Sequence, residues 1–220
     1  MQPEPALKPD VESSATYGAG DFARAFAATP AQMADLEAFQ ARVLETNSVM
    51  NLIGPATVGA FWLRHAADSA QLLALAPEAR SWADLGAGAG FPGVVLAILL
   101  KGRADAKVHL VDSQTKRCRF LSKIVTELGL PAEVHDARAE SLRLKVDIVT
   151  ARACAPMEKL LGFAQPYFAL GAQGLFLKGE AAPHELAEAR HAWRFDADLI
   201  PSLSDPRGRI VRIRRLARAR

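Results

Sequence analysis

One run of residues is built for ligand chemistry: Asp84-Leu85-Gly86-Ala87-Gly88-Ala89-Gly90-Phe91-Pro92-Gly93, set between two short apolar segments. Glycines at that spacing let a backbone turn tightly and approach a ligand, and the free N–H groups of a helix starting at Gly93 point the same way. The pattern is that of a nucleotide-type site. Gly88, Gly90 and Gly93 satisfy the G-x-G-x-x-G fingerprint of dinucleotide enzymes, so a nicotinamide-dependent oxidoreductase is one reading. Two residues favour a methyl donor instead: the loop already begins at Gly86, and Asp84 stands just before it at a strand tip. That carboxylate repels pyrophosphate, whereas it attracts a cofactor with an ammonium and a sulfonium group, as in S-adenosylmethionine.

A second acidic position follows at Asp112, where a carboxylate closing the next apolar run accepts hydrogen bonds from both hydroxyls of a ribose. The same residue also suits the cap of a helix starting near Thr115. Asp136-Ala137-Arg138-Ala139-Glu140 then ends a third run and offers polar groups where an adenine ring would lie.

Such residues need a frame that sets strand tips side by side. From Ser81 onward, short apolar runs alternate with helix-like segments, the pattern of βαβ units in a parallel sheet. Strands are expected over 81–85, 107–111, 132–135, 147–151, 174–178 and 209–214, with a weaker one over 195–200. Helices are expected over 93–101, 115–128, 156–167 and 183–192. Upstream, Thr29-Pro30 caps a helix over 32–44, residues 47–55 read as a structured loop, and a second helix covers 57–75. The organisation expected is a flexible leader over 1–20, a helical extension over 21–80 and a doubly wound, mostly parallel α/β domain over 81–220.

Half of the 220 residues are apolar and 23% are charged, a globular rather than a disordered composition. Cys118 and Cys154 stand far apart with no further thiol, so neither a disulfide framework nor a metal knuckle is expected, and no metal is assigned. The first residues hold no apolar run fit for a signal peptide, and the longest strongly apolar stretch, 94–100, is far below the roughly 20 residues of a membrane span. A cytoplasmic monomer with no membrane partner is expected. Net charge is only +3, yet Arg207, Arg209, Arg212, Arg214, Arg215, Arg218 and Arg220 crowd one end of the chain. This suits a polyanionic partner, or simply a solvated basic end, and a non-catalytic RNA-binding protein is the second rival reading.

With these residues assembled, the chain resembles the bacterial small-subunit ribosomal RNA guanine-N7 methyltransferases, the glucose-inhibited division protein B family, over about residues 30 to 215. The resemblance rests on Met50-Asn51-Leu52, Arg64-His65 with Asp68-Ser69, and the loop from Asp84 to Gly93 with its Gly-Phe-Pro-Gly end. It continues through Val111-Asp112-Ser113 with Lys116-Arg117, Arg138-Ala139-Glu140, Thr150-Ala151-Arg152-Ala153 and Leu177-Lys178-Gly179. It implies a Rossmann-like class I methyltransferase fold, S-adenosylmethionine as cofactor, and methylation of N7 of a guanine in the 530 loop of 16S rRNA, free or within the small subunit. It further implies donor contacts at Gly86, Phe91, Ala139, Glu140 and Arg152, beside the Asp84, Gly88 and Asp112 contacts expected from the loop chemistry. Cys154 departs from the small or apolar residue expected after Arg152-Ala153.

Guanine N7 carries an in-plane lone pair and no proton, so its methylation needs no general base, and positioning is most of the catalysis. Arg152 is the residue expected between cofactor and base, reaching guanine O6 or a phosphate; the alternative is an ion pair with Asp112 or Asp147. Lys178, Asn51 and His65 are expected RNA contacts, with a solvated lysine as the alternative for Lys178 and a buried polar anchor as the alternative for His65 and Asn51. Arg64 and Asp68 share a helix face by spacing. Phe61 and Trp62 read as core.

Overall fold

The computed structural model describes residues 17–219. Most of the expected leader lies outside them, but its end is already ordered, since a short helix α1 spans Ala19–Ala25 and buries Phe22. Helix α2 (Pro30–Met50) starts where its cap was read. The Thr29 side chain accepts from the Gln32 N–H, and Gln32 returns a bond to the Thr29 N–H. It runs on through the first four residues of the expected loop and stops at Asn51, which takes a left-handed conformation (φ 47°) and donates its N–H to the Asn47 carbonyl. Asn51 tolerates that conformation better than most residues.

The single helix expected over 57–75 is three pieces: a 3-10 turn at Pro55–Ala60, a wide π turn at Trp62–Ala67, and α3 (Asp68–Leu75). Apolar spacing cannot separate these, because windings slightly tighter or wider than 3.6 residues per turn bury much the same positions. Such π turns often occur at functional sites, and this one carries Arg64 and His65.

Beyond it the expected alternation appears: β1 (Ser81–Leu85), α4 (Gly93–Leu100), β2 (Lys107–Asp112), α5 (Thr115–Glu127), β3 (Ala132–Asp136), β4 (Ile148–Arg152), α6 (Met157–Phe168), β5 (Gln173–Lys178), α7 (Ala182–Ala189), β6 (Trp193–Pro201) and β7 (Arg209–Arg218). The seven strands form one sheet in the order β3-β2-β1-β4-β5-β7-β6, parallel except for β7. The weak strand is thus a full one, paired antiparallel along β7.

Each face of the sheet has its own core. On one face α4, apolar and buried along almost its whole length, packs with Phe22, Leu36, Phe39 and Phe61 of the N-terminal helices. On the other, Met157, Leu160, Ala164 and Tyr167 of α6 cover Leu85, Val149 and Phe176. Central strands buried on both sides explain why their sequence reads as continuous apolar runs. The chain reverses direction of winding between β1 and β4, so a crevice opens at the carboxyl ends of those strands.

Candidate active site

The glycine loop turns over the tip of β1. Gly86, Gly88 and Gly90 take φ values of 73°, 54° and 97°, which side chains rarely adopt. A Cβ on Gly86 would lie 2.8 Å from the Cys154 sulfur, and one on Gly93 would meet Leu110 and Asp84. Bare backbone is therefore required at both places.

Asp112 organises this loop. One carboxylate oxygen accepts the Gly88 N–H at 2.9 Å, the other accepts the Gln114 N–H at 2.8 Å, and Arg117 stands 3.8 Å away. Around it lies a cavity of about 270 Å³ walled by Gly86, Asp112, Ala139, Glu140, Cys154 and Phe163, among others. The Tyr167 hydroxyl donates to the Ala139 carbonyl at 3.0 Å and steadies that wall.

Of the residues expected to hold the cofactor, Gly86, Asp112, Ala139 and Glu140 line this cavity, whereas Asp84, Gly88, Phe91 and Arg152 do not. Asp84 is fully buried and spends one oxygen on the Gly93 N–H at 2.8 Å, which ties the loop to the start of α4. Its other oxygen has no partner, and burial lifts its carboxyl to about pH 7. Phe91 is buried behind the wall, stacked on His65 with centroids 4.8 Å apart and covered by the Arg152 guanidinium at 4.8 Å.

Arg152, at the tip of β4, pairs with neither Asp112 nor Asp147. Its Nη1 donates to His65 Nδ1 at 2.8 Å and to the Arg64 carbonyl at 3.1 Å, and Asp68 is 4.0 Å away. A guanidinium has no acceptor, so His65 Nδ1 must be unprotonated and the ring neutral. Burial, reinforced by Arg152 and Arg64, holds its pKa down at about 3. His65 is thus buried and anchored on Arg152 within the wall.

A larger cavity of about 550 Å³ lies against Arg152, lined by Ile53, His65, Asp68, Lys178, Ser204 and Arg209 among others. Ala153, held at φ 50°, lines both cavities. Strained backbone of this kind persists only where its surroundings enforce it. Lys178 faces the larger cavity, but its ammonium is matched by Glu185 at 2.6 Å and donates to the Ala155 carbonyl, so its charge is already used. Asn51 lies outside both linings as an exposed helix cap. Arg64 turns from Asp68 to Asp205, at 2.6 Å.

Ser202, Ser204 and Asp205 were not anticipated. Ser204 and Ser202 donate to Asp68 at 2.6 and 3.1 Å, across 136 and 134 positions of chain. No local pattern signals such a contact. The strand expected over 209–214 is present as β7 and runs on to Arg218, with Arg214 on Asp198 at 2.7 Å, Arg215 on Asp196, and Arg218 over the Trp193 ring. Among the described residues, Arg209 has no carboxylate partner and faces the larger cavity. Among the described residues, His109, Glu133 and His135 also converge on neighbouring strands.

The sheet order, the glycine loop at the switch point and the acidic residue ending β2 define a class I S-adenosylmethionine-dependent methyltransferase. Solved structures share the fold: an SAH-bound methyltransferase from Podospora anserina (TM-score 0.54, 13% identity, 79% of this chain and 87% of that one) and an O-methyltransferase from Bacillus cereus in complex with SAH (0.54, 14%, 81% and 91%). The family model for rRNA small subunit methyltransferase G matches residues 32–209. Proteins named ribosomal RNA small subunit methyltransferase G from Caulobacter vibrioides and Methylorubrum populi are 62% identical over all of both chains and 48% identical over 83% of this chain and 88% of that one. The chain belongs to the rRNA small subunit methyltransferase G family.

Proposed function

We propose that the chain moves a methyl group from S-adenosylmethionine to N7 of a guanine in 16S rRNA, in the 530 loop, acting in the cytoplasm as a monomer on the small subunit or its RNA. The observation that carries this reading is the shared wall: Ala153, at the tip of β4, lines both the cavity beside Asp112 and the larger one beside Arg209. A donor in the first and a base in the second would meet there.

The smaller cavity suits the cofactor by its donor set. Asp112 keeps lone pairs beyond the two bonds it accepts, enough for ribose hydroxyls, and the bare backbone at Gly86 allows close approach. When bound, S-adenosylmethionine supplies an electrophilic methyl on a sulfonium. The chain contributes positioning. Arg152 is locked by two hydrogen bonds and the Phe91 face, so its remaining N–H donors keep one direction, available to guanine O6 or a phosphate. His65 offers no base, since its Nδ1 is occupied by Arg152 and burial resists a proton. N7 needs none.

The larger cavity and Arg209 are the RNA side of this reading, with Asn51 an exposed contact outside its lining and Lys178 contributing through the Glu185 pair rather than as a free cation. The test is 16S rRNA carrying 7-deazaguanine, which keeps the pairing edge but replaces the N7 lone pair with C–H. It should bind and accept no methyl group. Efficient labelling of that RNA would assign the acceptor to another atom.

A further inference from the structure

Outside the active site, His109 on β2 and Glu133 and His135 on β3 share one face of the sheet. His109 pairs in register with Glu133, and His135 follows two residues on. Side chains alternate along strands, so all three project on the side of Val111, away from α5. The connection from β3 to β4 carries only a three-residue 3-10 turn at Ala139–Ser141, whereas those from β1 to β2, β2 to β3 and β4 to β5 each carry a helix. This end of the face therefore stays partly open, with His109 and His135 half-buried and Glu133 exposed.

His109 Nδ1 lies 2.9 Å from His135 Nε2, and a Glu133 oxygen lies 3.9 Å from the same Nε2. All three ligand atoms fall within 4.8 Å of one another. Tetrahedral zinc with bonds near 2.0–2.2 Å holds its ligand atoms about 3.3 Å apart, so the two imidazoles, hydrogen-bonded to each other here, have to part by a few tenths of an ångström and the exposed Glu133 side chain has to swing inward. Glu133 is held from elsewhere by Lys107 at 3.1 Å, a pair about half exposed on both sides. Exposed pairs of this kind are weak beside a metal bond.

We propose that His109, Glu133 and His135 form a binding site for a borderline divalent cation of the zinc type, cross-linking β2 to the edge strand β3, with water completing the coordination. Two imidazoles and a carboxylate select zinc, nickel or copper over magnesium, which prefers oxygen ligands in octahedral array. β2 ends in Asp112 and β3 leads into Ala139 and Glu140, so the cation would brace the two strands that carry the cofactor wall.

The test is calorimetric titration of the full chain, stripped with chelator, with zinc chloride, beside magnesium chloride, and with cobalt absorption spectra. One zinc per chain should bind, magnesium should not compete, and His109→Gln and His135→Gln should each weaken zinc at least about tenfold. Glu133→Gln, at an exposed position that folding tolerates, should also weaken it, which keeps the test valid if a histidine variant fails to fold. Cobalt should show nitrogen and oxygen ligation without thiolate charge transfer. Absence of zinc binding by the unaltered chain, unchanged affinity in Glu133→Gln or in the folded histidine variants, or a thiolate band pointing to Cys118 or Cys154 would each overturn the proposal.

Discussion

The two cavities that meet at Ala153 are made in different ways. The smaller is walled by strand tips and the turns that follow them: Gly86 after β1, Asp112 at the end of β2, Ala139 and Glu140 after β3. Its hydrogen bonds are largely from backbone N–H groups to one carboxylate. The larger is walled by a side-chain network across the chain, in which a π turn, the tip of β4 and the loop between β6 and β7 meet around Asp68 and Arg152. Backbone sites depend on conformation and tolerate little at glycines, whereas side-chain networks depend on every member being paired. The difference predicts how each should fail.

The largest effect should come from Arg152→Ala. It removes the fork that holds His65 Nδ1 and the Arg64 carbonyl and leaves Asp68 without its neighbouring cation. Methyl transfer should fall by about 100-fold or more, because misplacement near 1 Å can cost that much. Stability should fall as well, by about 1–3 kcal/mol, as buried polar groups lose partners. A variant with unchanged melting temperature and activity would show that the network is not coupled.

Asp112→Ala should act on the other cavity. Losing charge-assisted bonds to ribose hydroxyls, worth roughly 1.5–3 kcal/mol, should weaken donor binding by about one to two orders of magnitude in calorimetry. RNA affinity should stay near that of the unaltered chain. Equal loss of both would mean that the cavities are not separable.

Gly86→Ala sharpens the contrast further. The φ of 73° and the approach of a Cβ to 2.8 Å from the Cys154 sulfur both oppose a side chain. The left-handed conformation alone costs about 1–2 kcal/mol. Pairing it with Cys154→Gly should relieve the clash but not the backbone strain, so melting temperature should recover only in part.

Two buried groups give opposite pH signatures. His65 has its folded pKa at about 3, below the 6.5 of the free side chain, so between those values the unfolded chain binds more protons and stability falls as pH drops. Asp84 has its folded pKa at about 7, above 3.8, so across that window the folded chain holds more protons and stability falls as pH rises. Asp84→Asn keeps an acceptor for the Gly93 N–H and should flatten the alkaline side of a melting profile. A profile unchanged near pH 7 would deny that the carboxyl titrates there.

The smallest effect should come from ending the chain at Arg215. This removes the last rungs of β7, including Arg218 over Trp193, and should lower stability by about 1 kcal/mol or less while leaving the salt dependence of RNA binding nearly unchanged. A clearly shallower salt slope would restore this end as a phosphate-binding segment.

Local chemistry by itself determined the alternation of strands and helices, the glycine loop and the acidic ends of β2 and β3, because apolar runs and turn-forming residues act over a few positions. The cap at Thr29 was legible for the same reason. Tertiary structure decided the rest. It split the helix after Pro55 into three windings, matched arginines of the last strand with Asp196 and Asp198, and placed Asp84 and Phe91 behind the cavity wall rather than in it. Only the folded sheet set His109 against His135 and brought Ser204 to Asp68, because such contacts join residues that no short-range rule relates. What a side chain touches across a core depends on where every intervening element packs, and that is a property of the whole chain.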